Sequence, residues 1–254
     1  MSAAFLGRGL VLAGIVAGLL AVSLPFADGS RYVDDGTTAA FLIILLSLTS
    51  LLPAEIGRDL PAACAGSAAF GFFLLVPSIY AFDSLGRLES GAWLGLCTVL
   101  IPIGALIVLA KDEARAATRF DLGAGLVLAT IGLVLVATGI WLDFLKDVGP
   151  SYWNLSSSGH AVGLLLIVLV VLDAPLLAAA AHSSLRVGDA ALLAAAATFG
   201  LTVFGVVTAA FDGFGTLGAG AWIEAAGGTL LLIGVVLPQL ARARVPQTET
   251  APAA

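Results

Sequence analysis

The chain has 254 residues, of which 60% are hydrophobic and only 11% are charged. Its mean hydropathy of +1.08 is far above that of water-soluble globular domains and excludes that class. The formal net charge of −6 argues against nucleic acid as a partner. The composition instead predicts the lipid bilayer as the main partner, with other membrane subunits as further partners.

Eight apolar segments follow one another along the chain, and each approaches the roughly 20 helical residues that cross a bilayer core of about 30 Å. Uninterrupted apolar runs such as 42–46 and 164–172 differ from the alternating segments of a transmembrane barrel. The predicted spans lie near residues 9–27, 38–53, 61–80, 91–110, 121–142, 159–181, 190–210 and 219–240. The predicted fold class is therefore all-α, a polytopic integral membrane protein with eight transmembrane helices.

Polar residues near the ends of these spans have ordinary explanations. Asp189, at the start of the seventh span, is a good residue for the N-cap of a helix. Glu224, near the start of the eighth span, belongs with the acidic residues that we expect in outer segments. This interpretation leaves Asp173 as the acid that lies deep within a span.

The distribution of basic residues predicts the orientation of the chain. With the N-terminus inside, Arg31, Arg87 and Lys146 are outer residues, and the other eight of the 11 Lys and Arg residues lie inside. Basic residues favour the cytoplasmic side of a membrane. We therefore expect a multi-pass protein of the cell membrane with both termini in the cytoplasm.

One loop of the chain occurs twice. Residues 81–93 recur without a gap at 210–222, 129 residues further on, and both copies keep Phe-Asp near the start and Gly-Ala-Trp at the end. This repeat predicts a four-helix unit at 1–113, a second at 114–244, and a disordered cytoplasmic tail at 245–254. Since four is an even number, the two units are expected to be parallel repeats, related by a pseudo-twofold axis along the membrane normal.

The first and fifth spans also share a short sequence. Gly-Leu-Val-Leu-Ala at 9–13 returns at 125–129, which is a separation of 116 residues. The match places the first helix in register with the fifth. It implies that the second unit carries about thirteen more residues than the first between its first two helices.

Asp173 is the candidate intramembrane polar site. It lies about 5 Å from the middle of the sixth span, where a charge typically costs about 2.5–3.5 kcal/mol. Pro175 removes a backbone donor two residues later, so Asp173 either caps a locally broken helix, or is buried in neutral form, or is an ion or proton site. The residue 129 positions earlier is Ile44, so any such site is asymmetric.

The repeated loop supplies a candidate outer-face pair in each unit. Asp83 and Trp93 in the first copy correspond to Asp212 and Trp222 in the second. The functional interpretation is an outer binding surface. The structural interpretation is that the tryptophans are interfacial belt residues and that the acids cap turns.

The chemical motifs of common enzyme classes are absent from the sequence. We find no phosphate-binding loop, dinucleotide fingerprint, serine nucleophile elbow or metalloprotease helix, so no catalytic residue, cofactor or metal is predicted. The first expectation is a non-enzymatic membrane scaffold or accessory subunit, because few polar residues lie within spans. The alternatives are a small-solute or ion transporter that uses Asp173 and a membrane enzyme that acts on a lipid-linked substrate.

Overall fold

The computed structural model describes residues 3–50, 59–80, 85–110, 122–144, 157–181, 183–211 and 217–243. These residues are mostly helical, and five helical segments are long and apolar enough to cross a membrane. Those segments are Ala4–Ser23, Ser90–Leu109, His160–Ala180, Leu185–Val207 and Ala219–Gln239. The shorter apolar helices are Gly36–Thr49, Leu60–Phe73 and Ala124–Gly139. This content is consistent with an all-α membrane protein.

Ten α-helices lie within the described ranges. In chain order they are α1 (Ala3–Ser23), α2 (Gly36–Thr49), α3 (Asp59–Phe73), α4 (Leu75–Tyr80), α5 (Ser90–Leu96), α6 (Leu100–Leu109), α7 (Ala124–Gly139), α8 (Ser157–Ala180), α9 (Leu185–Phe211) and α10 (Ala219–Ala243). A 3-10 turn at Cys97–Val99 joins α5 to α6.

A short β-hairpin departs from the all-α expectation. The strands β1 (Pro25–Ala27) and β2 (Ser30–Arg31) pair antiparallel after α1. Asp28 and Gly29 form the turn with φ angles of 51° and 80°, a left-handed conformation that suits a tight hairpin. The strands are too short for a hydropathy pattern to reveal them.

Tyr32 anchors the segment that follows the hairpin. It is buried, and its ring centroid lies 4.6 Å from that of Phe26 and 5.4 Å from that of Phe73. Its hydroxyl group has no hydrogen-bond partner among the described residues, and burial raises the pKa of Tyr32. This segment therefore packs closely on the C-terminal end of α3.

Many large apolar side chains point away from the helix contacts. Examples are Leu12, Val127 and Val171, which are about 60% exposed. Water-soluble monomers rarely expose contiguous apolar surfaces of this extent. Lipid is the natural environment for these outward faces.

The helix pair α7 and α10 approaches most closely through glycines. A Cβ added to Gly132 would lie 2.6 Å from the carbonyl oxygen of Gly227, well inside ordinary contact distance. Similar contacts recur along the pair at seven-residue spacing. The facing glycines are Gly125 with Gly234, Gly132 with Gly227, and Gly139 with Gly220. Small residues of this kind let membrane helices pack backbone to backbone.

The helices α3 and α9 cross at two small-residue contacts. A Cβ on Gly71 would meet the Ala197 backbone, and a Cβ on Gly200 would meet the Ala68 backbone. Ala197 follows Ala68 by 129 residues, and Gly200 follows Gly71 by the same number. The two contacts are therefore reciprocal.

Burial along α1 and α7 does not follow the expected separation of 116 residues. That separation aligns buried Val11 with Val127, which is 60% exposed. A separation of 118 residues aligns buried positions with buried positions: Gly7 with Gly125, Val11 with Ala129, Gly14 with Gly132, and Gly18 with Val136. The five-residue match therefore reflects the similar composition of two apolar helices. The pattern of burial instead identifies the face of each helix that packs against its neighbours.

Candidate functional site

Asp173 lies on α8 and faces α9. It is only 2% exposed, and its Oδ2 accepts a hydrogen bond of 2.7 Å from the Oγ1 of fully buried Thr198. The helix α8 continues through Pro175 without a break. The carboxylate therefore does not cap a broken helix, and the described partner that holds it comes from a neighbouring helix.

A second hydroxyl group follows one turn further along α9. Thr202 Oγ1 donates a hydrogen bond of 2.9 Å to the carbonyl oxygen of Thr198. Gly228 of α10 lies against this hydroxyl group so closely that a Cβ at that position would overlap it. Thr198 and Thr202 thus form a buried polar strip between α8 and α10.

Glu224 does not lie in an outer segment as expected. It is the sixth residue of α10 and is only 1% exposed. Its Cγ packs where a side chain at Gly139 would otherwise lie, so the absence of that side chain provides space for the glutamate. The sequence contains the seven-residue spacing of Gly132 and Gly139. Only the packing of α7 against α10 shows that Gly139 leaves room for the side chain of Glu224.

Asp189 is also more deeply buried than expected. It is the fifth residue of α9, not its N-cap, and is 0% exposed. Its carboxyl group is close enough to the Cys64 thiol of α3 for an electrostatic interaction. Next to it, Gln239 Nε2 donates a hydrogen bond of 3.2 Å to the Gly188 carbonyl oxygen, while Gln239 Oε1 has no partner among the described residues.

These acids occupy three different levels of the second unit. Thr198, the partner of Asp173, lies nine residues beyond Asp189, about 14 Å along α9. Glu224 lies 15 residues before Gln239, about 22 Å along α10. In the part of the chain that the structure describes, no three His, Cys, Asp or Glu side chains group as a metal site requires.

The residues 129 positions before the three acids are not acidic. They are Ile44, Leu60 and Gly95, which precede Asp173, Asp189 and Glu224 respectively. The three buried acids therefore have no acidic counterpart at this separation in residues 1–113, the predicted first unit.

The candidate outer-face pair is described in part. Trp93 and Trp222 are 49% and 47% exposed, and each is the fourth residue of its helix. Asp83 and Asp212 lie outside the described residues. The two indoles occupy matching outward-facing positions, as interfacial tryptophans do.

No protein-family model, curated protein or solved structure matches the chain. Its function is therefore argued from the geometry of the buried polar groups.

Proposed function

We propose that the chain is a membrane transporter that moves a small cation through its second unit, with Asp173 as the carboxylate that binds the cation. The observation that carries this proposal is the burial of Asp173 among apolar helices, held by Thr198. Acids within transmembrane segments are costly and characteristically mark ion or proton pathways.

The two other buried acids favour transport over the scaffold function. A scaffold was the first expectation because few polar residues were predicted within spans. Asp189 and Glu224 remove that reason, since both are at least as buried as Asp173. An uncompensated acid within the membrane lowers the stability of the inserted chain. The presence of three such acids is difficult to explain in a passive scaffold.

The proposal includes eight spans in two parallel four-helix units, with both termini on the cytoplasmic side of the cell membrane. The reciprocal contacts of Gly71 with Ala197 and of Gly200 with Ala68 support a pseudo-twofold relation, because such an axis exchanges equivalent residues. Helix α1 also packs along α5 and α6 as α7 packs along α10. The matching burial of α1 and α7 at a separation of 118 residues agrees with this relation.

Charge movement by the reconstituted protein tests the proposal. Purified protein in liposomes on a solid-supported membrane is exposed to concentration jumps of H⁺, Na⁺ and K⁺. At least one ion should produce a transient current that is lost in Asp173→Asn and kept in part by Asp173→Glu. Thr138→Val is the matched control, because Thr138 is an exposed residue of α7 whose hydroxyl group donates a hydrogen bond of 2.8 Å to Val134 of the same helix.

Two results would contradict the transporter proposal. The first is an absence of current for all three ions from protein that elutes as a single folded species. The second is an Asp173→Asn protein with the same currents as the unmodified protein.

A scaffold or accessory-subunit function is the second candidate, favoured by one observation on α1. An apolar groove of about 460 Å³ runs along its outward face. It is lined by Gly9, Leu12, Ala13, Val16, Ala17, Leu20 and Leu94. Small residues at four-residue spacing admit the close approach of another transmembrane helix. If a membrane subunit occupies the groove, Gly9→Leu should abolish its stoichiometric co-purification.

A further inference from the structure

We infer that the transported cation is the proton, and that it crosses the second unit by way of Glu224 at the outer end, Asp173 in the middle and Asp189 at the inner end. This inference rests on the proposed transport function and names the ion and its route. Each of these three carboxyl groups takes up a proton and then releases it along the route.

The packing of α9 against α10 determines the order of the route. The hydrogen bond from Gln239 to Gly188 joins the end of α10 to the start of α9, and Gly228 lies beside Thr202 further along. The two helices therefore run antiparallel. Glu224 and Gln239 then stand about 22 Å apart along α10, which covers most of a bilayer core of about 30 Å.

Hydroxyl groups occupy the interval between the middle and outer acids. Thr198 donates a hydrogen bond to Asp173, and Thr202 lies one turn further along α9. Gly228, which follows Glu224 by about one turn of α10, lies against Thr202. A hydroxyl group both donates and accepts hydrogen bonds. Between Glu224 and Asp173, each transfer breaks an O–H bond on one carboxyl group and forms an O–H bond on the next, relayed through these hydroxyl oxygens. Between Asp173 and Asp189 the described side chains are apolar, among them Leu177, Ala191 and Leu192, so the transfer there requires water molecules that enter between the helices.

The inner end contains an independent sign of a proton donor. Gln239 is 7% exposed, and its Oε1 accepts no hydrogen bond from any described residue. An unsatisfied buried acceptor typically costs about 1–3 kcal/mol. Gln239 bonds Gly188, which directly precedes Asp189 in the chain, so we infer that a proton on its way to or from Asp189 supplies the donor that this oxygen requires. Cys64 of α3 is a titratable group that interacts electrostatically with Asp189.

The spacing of the acids favours a proton over a metal cation. Metal cations such as Ca²⁺ take six or more oxygen ligands at one position. Among the residues that the structure describes, each level offers a single carboxyl group, and the three levels are separated by whole turns of helix. A proton requires only one donor and one acceptor at each level.

The test is proton flux into liposomes that contain the full-length protein and the pH dye pyranine, driven by a potential set with K⁺ and valinomycin. The unmodified protein should acidify the vesicle interior, and Glu224→Gln, Asp173→Asn and Asp189→Asn should each lower the rate by about tenfold or more. Thr229→Val is the control on α10, because the Thr229 hydroxyl group donates its hydrogen bond to Ala225 of the same helix. If a neutral variant does not fold, the conservative variant Glu224→Asp or Asp189→Glu is measured in its place and should keep a measurable proton flux.

The outcomes separate this inference from the function on which it rests. A Na⁺ or K⁺ current that requires Asp173, without proton flux, would overturn the proton assignment and leave the transporter proposal standing. Proton flux that requires Asp173 but is unchanged in both Glu224→Gln and Asp189→Asn would overturn the route. An absence of any cation movement would overturn both.

Discussion

Adding one methyl group at Gly132 is expected to separate α7 from α10. The new Cβ would overlap the Leu231 backbone nitrogen and would lie 2.6 Å from the Gly227 carbonyl oxygen, whereas ordinary contact begins at 3.4 Å, so the two helices must move apart by at least about 0.8 Å. Both nearest neighbours belong to the backbone of α10, and no side chain can rotate away. Overpacking of this kind typically costs about 1–3 kcal/mol, and the better helix propensity of alanine offsets up to about 1 kcal/mol.

We therefore expect Gly132→Ala to lower the free energy of unfolding by about 1–2 kcal/mol. Steric trapping in bicelles measures this quantity for membrane proteins. Gly205→Ala on α9 is the matched control, since nothing lies within 4 Å of its added Cβ, and it should stabilise the protein by up to about 1 kcal/mol. Equal stability of Gly132→Ala and the unmodified protein would refute the close approach of the two helices.

Three further predictions address other contacts. Because burial raises the pKa of Tyr32, the unfolded chain ionises this residue at lower pH than the folded protein does, so thermal stability should fall as pH rises above about 10, and Tyr32→Phe should remove that loss. A double-mutant cycle of Thr198→Val and Asp173→Ala should show a coupling energy of about 1–3 kcal/mol in the free energy of unfolding, whereas additive effects would contradict their hydrogen bond. Gly71→Val and Gly200→Val should lower stability equally, within about 0.5 kcal/mol, and unequal losses would show that the two crossing contacts are not equivalent.

The sequence predicts the helices well because the thickness of a bilayer determines the length of an apolar span. The eighth span was expected at 219–240, and α10 runs from Ala219 to Ala243. The first was expected at 9–27, and α1 runs from Ala3 to Ser23. In these two cases hydropathy locates the ends of the helix to within six residues.

The depth of individual acids was predicted less well. Asp189 and Glu224 stand near the ends of apolar runs, where an acid is ordinarily a cap or an interfacial residue. Their burial depends on neighbouring helices, and in particular on the missing side chain of Gly139. A single sequence does not state which helix will cover a given face, so the partner residue Thr198 was also not anticipated.

The central architectural proposal is that the two predicted four-helix units face the same way in the membrane. Topology reporters fused after Arg115, between the units, and after Arg244 test it directly, with fusions after Asp34 and Asp147 as the outer reference points. We predict cytoplasmic signals at the first two positions and external signals at the other two. An external signal after Arg115 would give each unit an odd number of spans and would contradict the parallel arrangement.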